Sequence, residues 1–235
     1  MTIELSEKPK NPTIIEGFPG FGFVSTIATE FLVKHLNAKK IGRFYSEKLL
    51  PISVIHDSKV IEPLEIYYAK KENIVILRTM TNVSGAEWEI AKIVKELAEK
   101  LKAKEIISIE GISAPEKSTN KSKVFFYTNQ DIKKFEKIKL DVLKDGIVMG
   151  VTGVLLLNSE KLPISCLFAE ANPGLPDSRA AGEIIKVLDD YLDLKIDYKP
   201  LLKTAEEVQD KLKTILSKIK ESTCQKQKSD LSYLG

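Results

Sequence analysis

The chain is poor in the residues that carry most enzymatic chemistry. Its 235 residues include two cysteines, two histidines and one tryptophan. Cys166 and Cys224 lie far apart, the second in a polar tail. That is neither a disulfide framework nor a metal-ligand spacing, so a reducing cytoplasm is the expected setting and no metal is expected. Only His35 and His56 could act as an imidazole base, and no serine stands in a G-x-S-x-G elbow. A nucleophile–base–orienter triad is therefore not expected. No apolar run approaches the roughly 20 residues that span a bilayer. The opening MTIELSEKPKNP has no apolar core of a signal peptide. The expectation is a protein without membrane attachment.

An excess of one charge is also missing from most of the chain. The formal net charge is +3. Between Lys199 and Gly235 there are eight lysines against five acidic side chains, which leaves 28 charges of each sign in the first 198 residues. A balanced body with a mildly basic arm is a poor footprint for nucleic acid, and none is expected as a partner.

What is present is an alternation of strand and helix patterns. Thr13-Ile14-Ile15 leads into the glycine-rich turn Gly17-Phe18-Pro19-Gly20-Phe21-Gly22, and a helical pattern follows through His35. Strand-like runs come next at Lys40–Tyr45 and Ile52–His56. Val60–Tyr68 and Asn73–Arg78 flank a short polar turn and read as a hairpin, with Pro63 arguing for an edge or a bulge. Ile90, Ile93, Val94, Leu97 and Leu101 have helical spacing, and Ser84 with Glu87 suggests a capping box. Glu105–Ile109, Val124–Tyr127 and Pro163–Glu170 read as further strands, Ile147–Leu157 is apolar, and a helix is expected from Ser178 to about Leu192. Buried strands separated by helices predict an α/β fold, a three-layer α/β/α sandwich with a mixed sheet, over residues 1–198.

Residues 199–221 differ in pattern. Leu201, Ala205, Val208, Leu212, Ile215 and Ile219 follow heptad spacing over fewer than three heptads. That predicts an amphipathic helix, lying either on its own domain or on a neighbouring subunit. In the second case Val208, Leu212, Ile215 and Ile219 are the oligomer contacts. Residues 222–235 lack an apolar period and are expected to form a flexible tail, ending on the apolar tip Leu231-Ser232-Tyr233-Leu234-Gly235. A tether of this length reaches at most about 45 Å at roughly 3.3 Å per residue.

Residue types point to two candidate sites. The glycine-rich turn matches G-x-G-x-x-G only if Ser25 replaces the last glycine, and it lacks the lysine of a P-loop. Glu47 stands where a ribose ligand would fall. With Phe18, Phe21 and Phe23 crowding it, the turn is expected to be scaffold that sets the first helix on the sheet. The second candidate is the set Glu16, Glu110 and Glu170, each ending a predicted strand. If those strands are parallel, the carboxylates gather at the sheet's C-terminal edge, where they could hold a divalent metal or act as acid and base. The structural alternative has them capping helices or pairing with Arg78 or Arg179.

In order along the chain, the segments GFPGFGFVSTIATEFL (17–32), TNVSGAEWEIAKIVKELAEKL (81–101), IISIEGISAP (106–115), GVTGVLLLNSEKLPISCLFAEANPGLPDSRAAGEIIKVLDDYL (150–192) and LLKTAEEVQDKLKTI (201–215) resemble the proteasome assembly chaperone family in its archaeal branch. The order of the motifs carries the likeness, not any single one. The resemblance implies a phosphorylase/hydrolase-like α/β/α domain without a catalytic site or cofactor. It further implies a homo-oligomer, with a tetramer favoured, that assists assembly of 20S proteasome α-subunits or rings without nucleotide hydrolysis. Some members end in a hydrophobic–tyrosine–any-residue signal that inserts between α-subunits. Here Tyr233 is third from the end, with Ser232 before it, so the terminal carboxylate moves by about 3.3 Å relative to the ring. Leu231, Tyr233, Leu234 and Gly235 are then expected to form a looser anchor. The competing expectation is a nucleotide- or metal-dependent ligase or hydrolase using the carboxylate edge.

Overall fold

The computed structural model describes residues 2–46, 48–49, 53–56, 58–113, 122–171 and 176–196. Nine strands form one mixed sheet in the order β1-β3-β6-β7-β2-β8-β11-β9-β10. They are β1 (Thr2–Leu5), β2 (Thr13–Gly17), β3 (Lys39–Tyr45), β6 (Leu64–Ala69), β7 (Ile74–Thr79), β8 (Glu105–Ser113), β9 (Val124–Thr128), β10 (Asp141–Val142) and β11 (Ile164–Ala171). β4 (Val54–His56) and β5 (Lys59–Ile61) pair separately as a small antiparallel ribbon. The helices are α1 (Val24–His35), α2 (Glu87–Leu101), α3 (Lys133–Lys137), α4 (Gly150–Leu157) and α5 (Ser178–Leu192).

The central strands β7, β2, β8 and β11 are mutually parallel, while β1, β3 and β6 extend the sheet as antiparallel neighbours on one side. Parallel strands need both faces covered, and the sequence meets that need by making both parities apolar. Ile15, Ile76, Ile107 and Leu167 point to the layer of α1 and α5. Ile14, Val75, Ile106 and Cys166 point to the layer of α2 and α4. Each fully buried Ile or Leu contributes about 1.5–3 kcal/mol, which makes these alternating runs the main source of stability. The expected α/β/α sandwich with a mixed sheet is the observed fold. Among the described residues no helix is long and apolar enough to cross a membrane.

Several local expectations need correction. Pro63 lies in neither an edge strand nor a bulge. It splits the predicted run into β5 and β6, at the point where the chain leaves the small ribbon and enters the sheet. Its ring donates no hydrogen bond, but its carbonyl accepts the Met80 amide at 3.0 Å. The capping box also fails. Asn82 Oδ1 takes both the Ser84 amide and its hydroxyl, so α2 begins at Glu87, which reaches back only to the Gly85 amide. β8 does not stop at Glu110-Gly111 but continues to Ser113 alongside β11. The apolar 147–157 segment becomes α4, whose glycine-flanked start leaves Ile147 and Met149 exposed before the helix.

Candidate functional site: a carboxyl pair beneath the glycine turn

The strand order places β2, β8 and β11 side by side and parallel, so Glu16, Glu110 and Glu170 do reach one edge of the sheet. All three have the parity of the α2/α4 face. In register, Glu16 of β2 faces Ser108 of β8, which faces Cys166 of β11. Glu110 stands one step further toward the strand ends, beside Phe168. Glu170 lies another step out, opposite Ile112. The structure brings Glu16 and Glu110 into electrostatic contact and leaves Glu170 outside that pair.

Thr152 of α4 sits above this row. Its hydroxyl donates to Glu110 Oε1 at 2.6 Å and meets the Ser108 hydroxyl at 2.6 Å. Each hydroxyl has one hydrogen to give. With the Thr152 hydrogen spent on Glu110, Ser108 is the donor in that hydroxyl contact. Glu16 is fully buried, and neither of its carboxylate oxygens has a hydrogen-bond partner. Burial pushes the Glu16 carboxyl up to about 8, the nearby Ser108 hydroxyl opposing and the Glu110 charge adding to the rise. Glu110 keeps some surface exposure, yet burial of its carboxyl raises it to about 7 against the Thr152 hydrogen bond. Burial, then Glu16 and Glu110, hold Cys166 as a neutral thiol.

The glycine-rich turn roofs this pair. Gly22 has φ +61, a conformation that suits glycine, and its carbonyl accepts the Asp177 amide at 2.8 Å, tying the turn to the start of α5. Ser25 donates to the Phe18 carbonyl at 2.6 Å. A methyl built on Gly111 would lie 2.0 Å from the Phe21 carbonyl oxygen, so the turn backbone rests directly on β8. The turn is closed by its own contacts, as the scaffold reading expects.

The alternative pairing of the glutamates with Arg78 does not occur. Arg78 has the other parity and lies on the α1 face, where it binds Glu30 and Glu65. His35 stacks on Phe31, with ring centroids 5.1 Å apart. Among the described residues no three His, Cys, Asp or Glu side chains form a metal-ligand group. A shallow surface depression of about 470 Å³ lies at the opposite end of β11, by Asn129 and Pro163, and has no part in the pair. Sequence reading missed Ser108, Thr152 and Cys166. The available signal was a lone polar residue inside the apolar runs Ile106–Ile109 and Val151–Leu155. Glu47, the heptad positions Val208, Leu212, Ile215 and Ile219, and the tip residues Leu231, Tyr233, Leu234 and Gly235 lie outside the described residues.

Residues 14–216 match the PAC2 family, and the chain belongs to it. Among solved structures it is similar to Pyrococcus furiosus PbaA, an archaeal homolog of proteasome-assembly chaperone. The two are 30% identical over 94% of this chain and 100% of that one, with a TM-score of 0.80. Pyrococcus furiosus PbaB, an archaeal proteasome activator, is 25% identical over 91% of this chain and 98% of its own, with a TM-score of 0.74. An uncharacterized protein of Methanocaldococcus jannaschii is 29% identical, covering 88% of this chain and 86% of its own length.

Proposed function

We propose that this protein is an ATP-independent chaperone that binds 20S proteasome α-subunits or α-rings and assists their assembly. The observation that carries the reading is the likeness to PbaA over nearly the full length of both chains, together with membership of the PAC2 family. The site gives no support to phosphate chemistry at the turn. The glycine turn is filled by its own backbone and side chains, which leaves it poorly suited to cradle a phosphate. In this reading the folded body works as a homo-oligomer, a tetramer being favoured. Val208, Leu212, Ile215 and Ile219 form subunit contacts, and Leu231, Tyr233, Leu234 and Gly235 anchor the client.

The test is a pull-down of purified 20S proteasome and isolated α-subunits, with the full-length chain and with a chain ending at Glu221. The expected result is capture by the full chain, much weaker capture by the shortened one, and unchanged folding of both. Equal capture removes residues 222–235 from the mechanism and moves the interface to the body. Capture by neither overturns the proposal. The rival ligase or hydrolase reading draws on the Glu16–Glu110 pair. A nucleotide binding the native state at 100 times its Kd would stabilise it by about 2.7 kcal/mol, so thermal unfolding with ATP and magnesium, compared with magnesium alone, tests that reading.

A further inference from the structure

Glu16 poses a problem that the chaperone reading does not answer. A carboxylate with both oxygens buried and unpaired is costly, and burial of an unpaired charge ordinarily selects against such a residue. Among the described residues no lysine or arginine forms an ion pair with Glu16 or Glu110. The polar groups around the pair are the Ser108 and Thr152 hydroxyls, the Cys166 thiol opposite Ser108 and, near Glu110, the backbone carbonyl of Phe18 at the roof.

The roof is tight at Gly20. Gly20 has an extended backbone (φ −148, ψ −151) that any residue can adopt, so conformation does not require glycine there. Space does. The position its missing Cβ would fill lies 3.3 Å from Glu110 Oε2 and 3.8 Å from the Phe18 carbonyl oxygen. An atom placed there would face a carboxylate and a carbonyl, both electron-rich.

We propose that Glu16 and Glu110 form a binding site for a hard divalent cation of the magnesium or calcium class, held beneath the Phe18–Gly22 turn. Two carboxylates balance a divalent charge, and hydroxyl, carbonyl and water oxygens suit such ions as the remaining ligands. Softer metals are disfavoured, because the carboxylate and hydroxyl donors at the pair are oxygens and no third His, Cys, Asp or Glu joins it among the described residues. The ion would clamp the turn, and with it the start of α1, onto the end of β8. The inference does not depend on the proteasome reading, since a failed pull-down leaves it untouched.

The test uses full-length protein stripped with chelator and then dialysed at pH 8.5. Thermal unfolding is followed against magnesium, calcium and manganese chlorides. Equilibrium dialysis with calcium then counts ions per chain. The expected result is a midpoint that rises by several degrees and saturates, with one ion per chain. Glu16→Gln and Gly20→Ala should lose the response, the first by removing charge and the second by crowding the Glu110 carboxylate. Glu170→Gln, outside the pair, should respond as the wild type does. A wild-type midpoint indifferent to all three ions overturns the site. So does a response that survives Glu16→Gln, since that would place the ions on the surface.

Discussion

Arg78 and Glu65 face each other directly across the β6/β7 ladder, and both are buried. The guanidinium divides its donors, Nη2 going to Glu65 Oε2 and Nη1 to Glu30 of α1 at 2.9 Å. Tyr67 donates to the same Glu65 oxygen at 2.9 Å, while Lys40 takes the other at 2.8 Å. From there the contacts continue through Glu62 and Arg43 to Glu4 on β1, and in the other direction through Glu30 to Lys34. Positive and negative groups alternate along the row, which joins α1 to the antiparallel half of the sheet.

Arg78→Met should therefore be among the most damaging single changes on this face. It removes the guanidinium from two carboxylates, leaving almost fully buried Glu65 to Lys40 and Tyr67 and leaving Glu30 to Lys34, so the cost should approach but not exceed the about 3–5 kcal/mol of breaking a buried pair from one side. Urea unfolding at pH 7 reads the loss. Adding Glu65→Leu should return much of it, because removing both charges avoids the unpaired one. A cost below about 1 kcal/mol for the single change would mean that water reaches the pair.

Two glycines separate close approach from backbone conformation. At Gly111 the obstacle is the Phe21 carbonyl oxygen, a backbone atom that cannot rotate away, so Gly111→Ala must lift the turn from β8. Overpacking of this kind costs about 1–3 kcal/mol, and here the upper end or more is expected. Gly85 has φ +86 but nothing within 4 Å of its missing side chain. Gly85→Ala should cost only the backbone strain, about 1–2 kcal/mol. Thermal unfolding ranks the two, and the reverse order would mean that the turn does not rest on β8.

Tyr191 offers a milder test on the same face as Arg78, in the other half of the sheet. Its hydroxyl donates to Glu105, 3.0 Å from Oε1 and 3.1 Å from Oε2, while its ring stacks on Phe135, itself stacked on Phe126. Tyr191→Phe keeps the stack and deletes the donor. The Ser165 hydroxyl still serves Glu105, so the expected loss is about 1–2 kcal/mol. Burial already raises the Glu105 carboxyl, with Ser165 and Tyr191 opposing, and the variant should raise it further. Carboxyl resonances followed by NMR titration would detect that move, and an unchanged titration would rule out the hydrogen bond.

The layers of this fold were legible because periodicity carries them. The Ile14/Ile15 and Ile106/Ile107 alternations require two covered faces, and α5 was readable from its start at Ser178 to its end at Leu192. The meeting of Glu16 with Glu110 was also legible, since both needed only parallel neighbouring strands. Two things were not. Whether Arg78 served those glutamates depended on strand parity relative to α1, which no local pattern encodes. Nor could Thr152 be recognised, because its role arises from α4 packing over a strand 44 residues away. Pairings of that kind belong to the tertiary arrangement and leave only a faint trace, one polar residue in an apolar run.

The buried pair makes a last prediction about pH, for protein kept in chelator. In the unfolded chain Glu16 and Glu110 titrate near the ordinary value of 4.5, whereas the fold raises them to about 8 and about 7. Raised carboxyls mean that the native state holds protons the unfolded state releases. Their stabilising contribution is thus complete below about pH 4.5, declines as pH rises, and is gone once pH passes through about 8. Each group contributes a slope of about 1.4 kcal/mol per pH unit inside its own window. Because the two carboxyls interact, the steps belong to the pair and need not separate. Glu16→Gln cannot ionise, so it should remove the later step and be more stable than the wild type at pH 9 while differing little at pH 5. Urea unfolding of both proteins from pH 5 to 9 measures this. Parallel curves would mean that the Glu16 carboxyl finds a partner in solution and is ionised throughout.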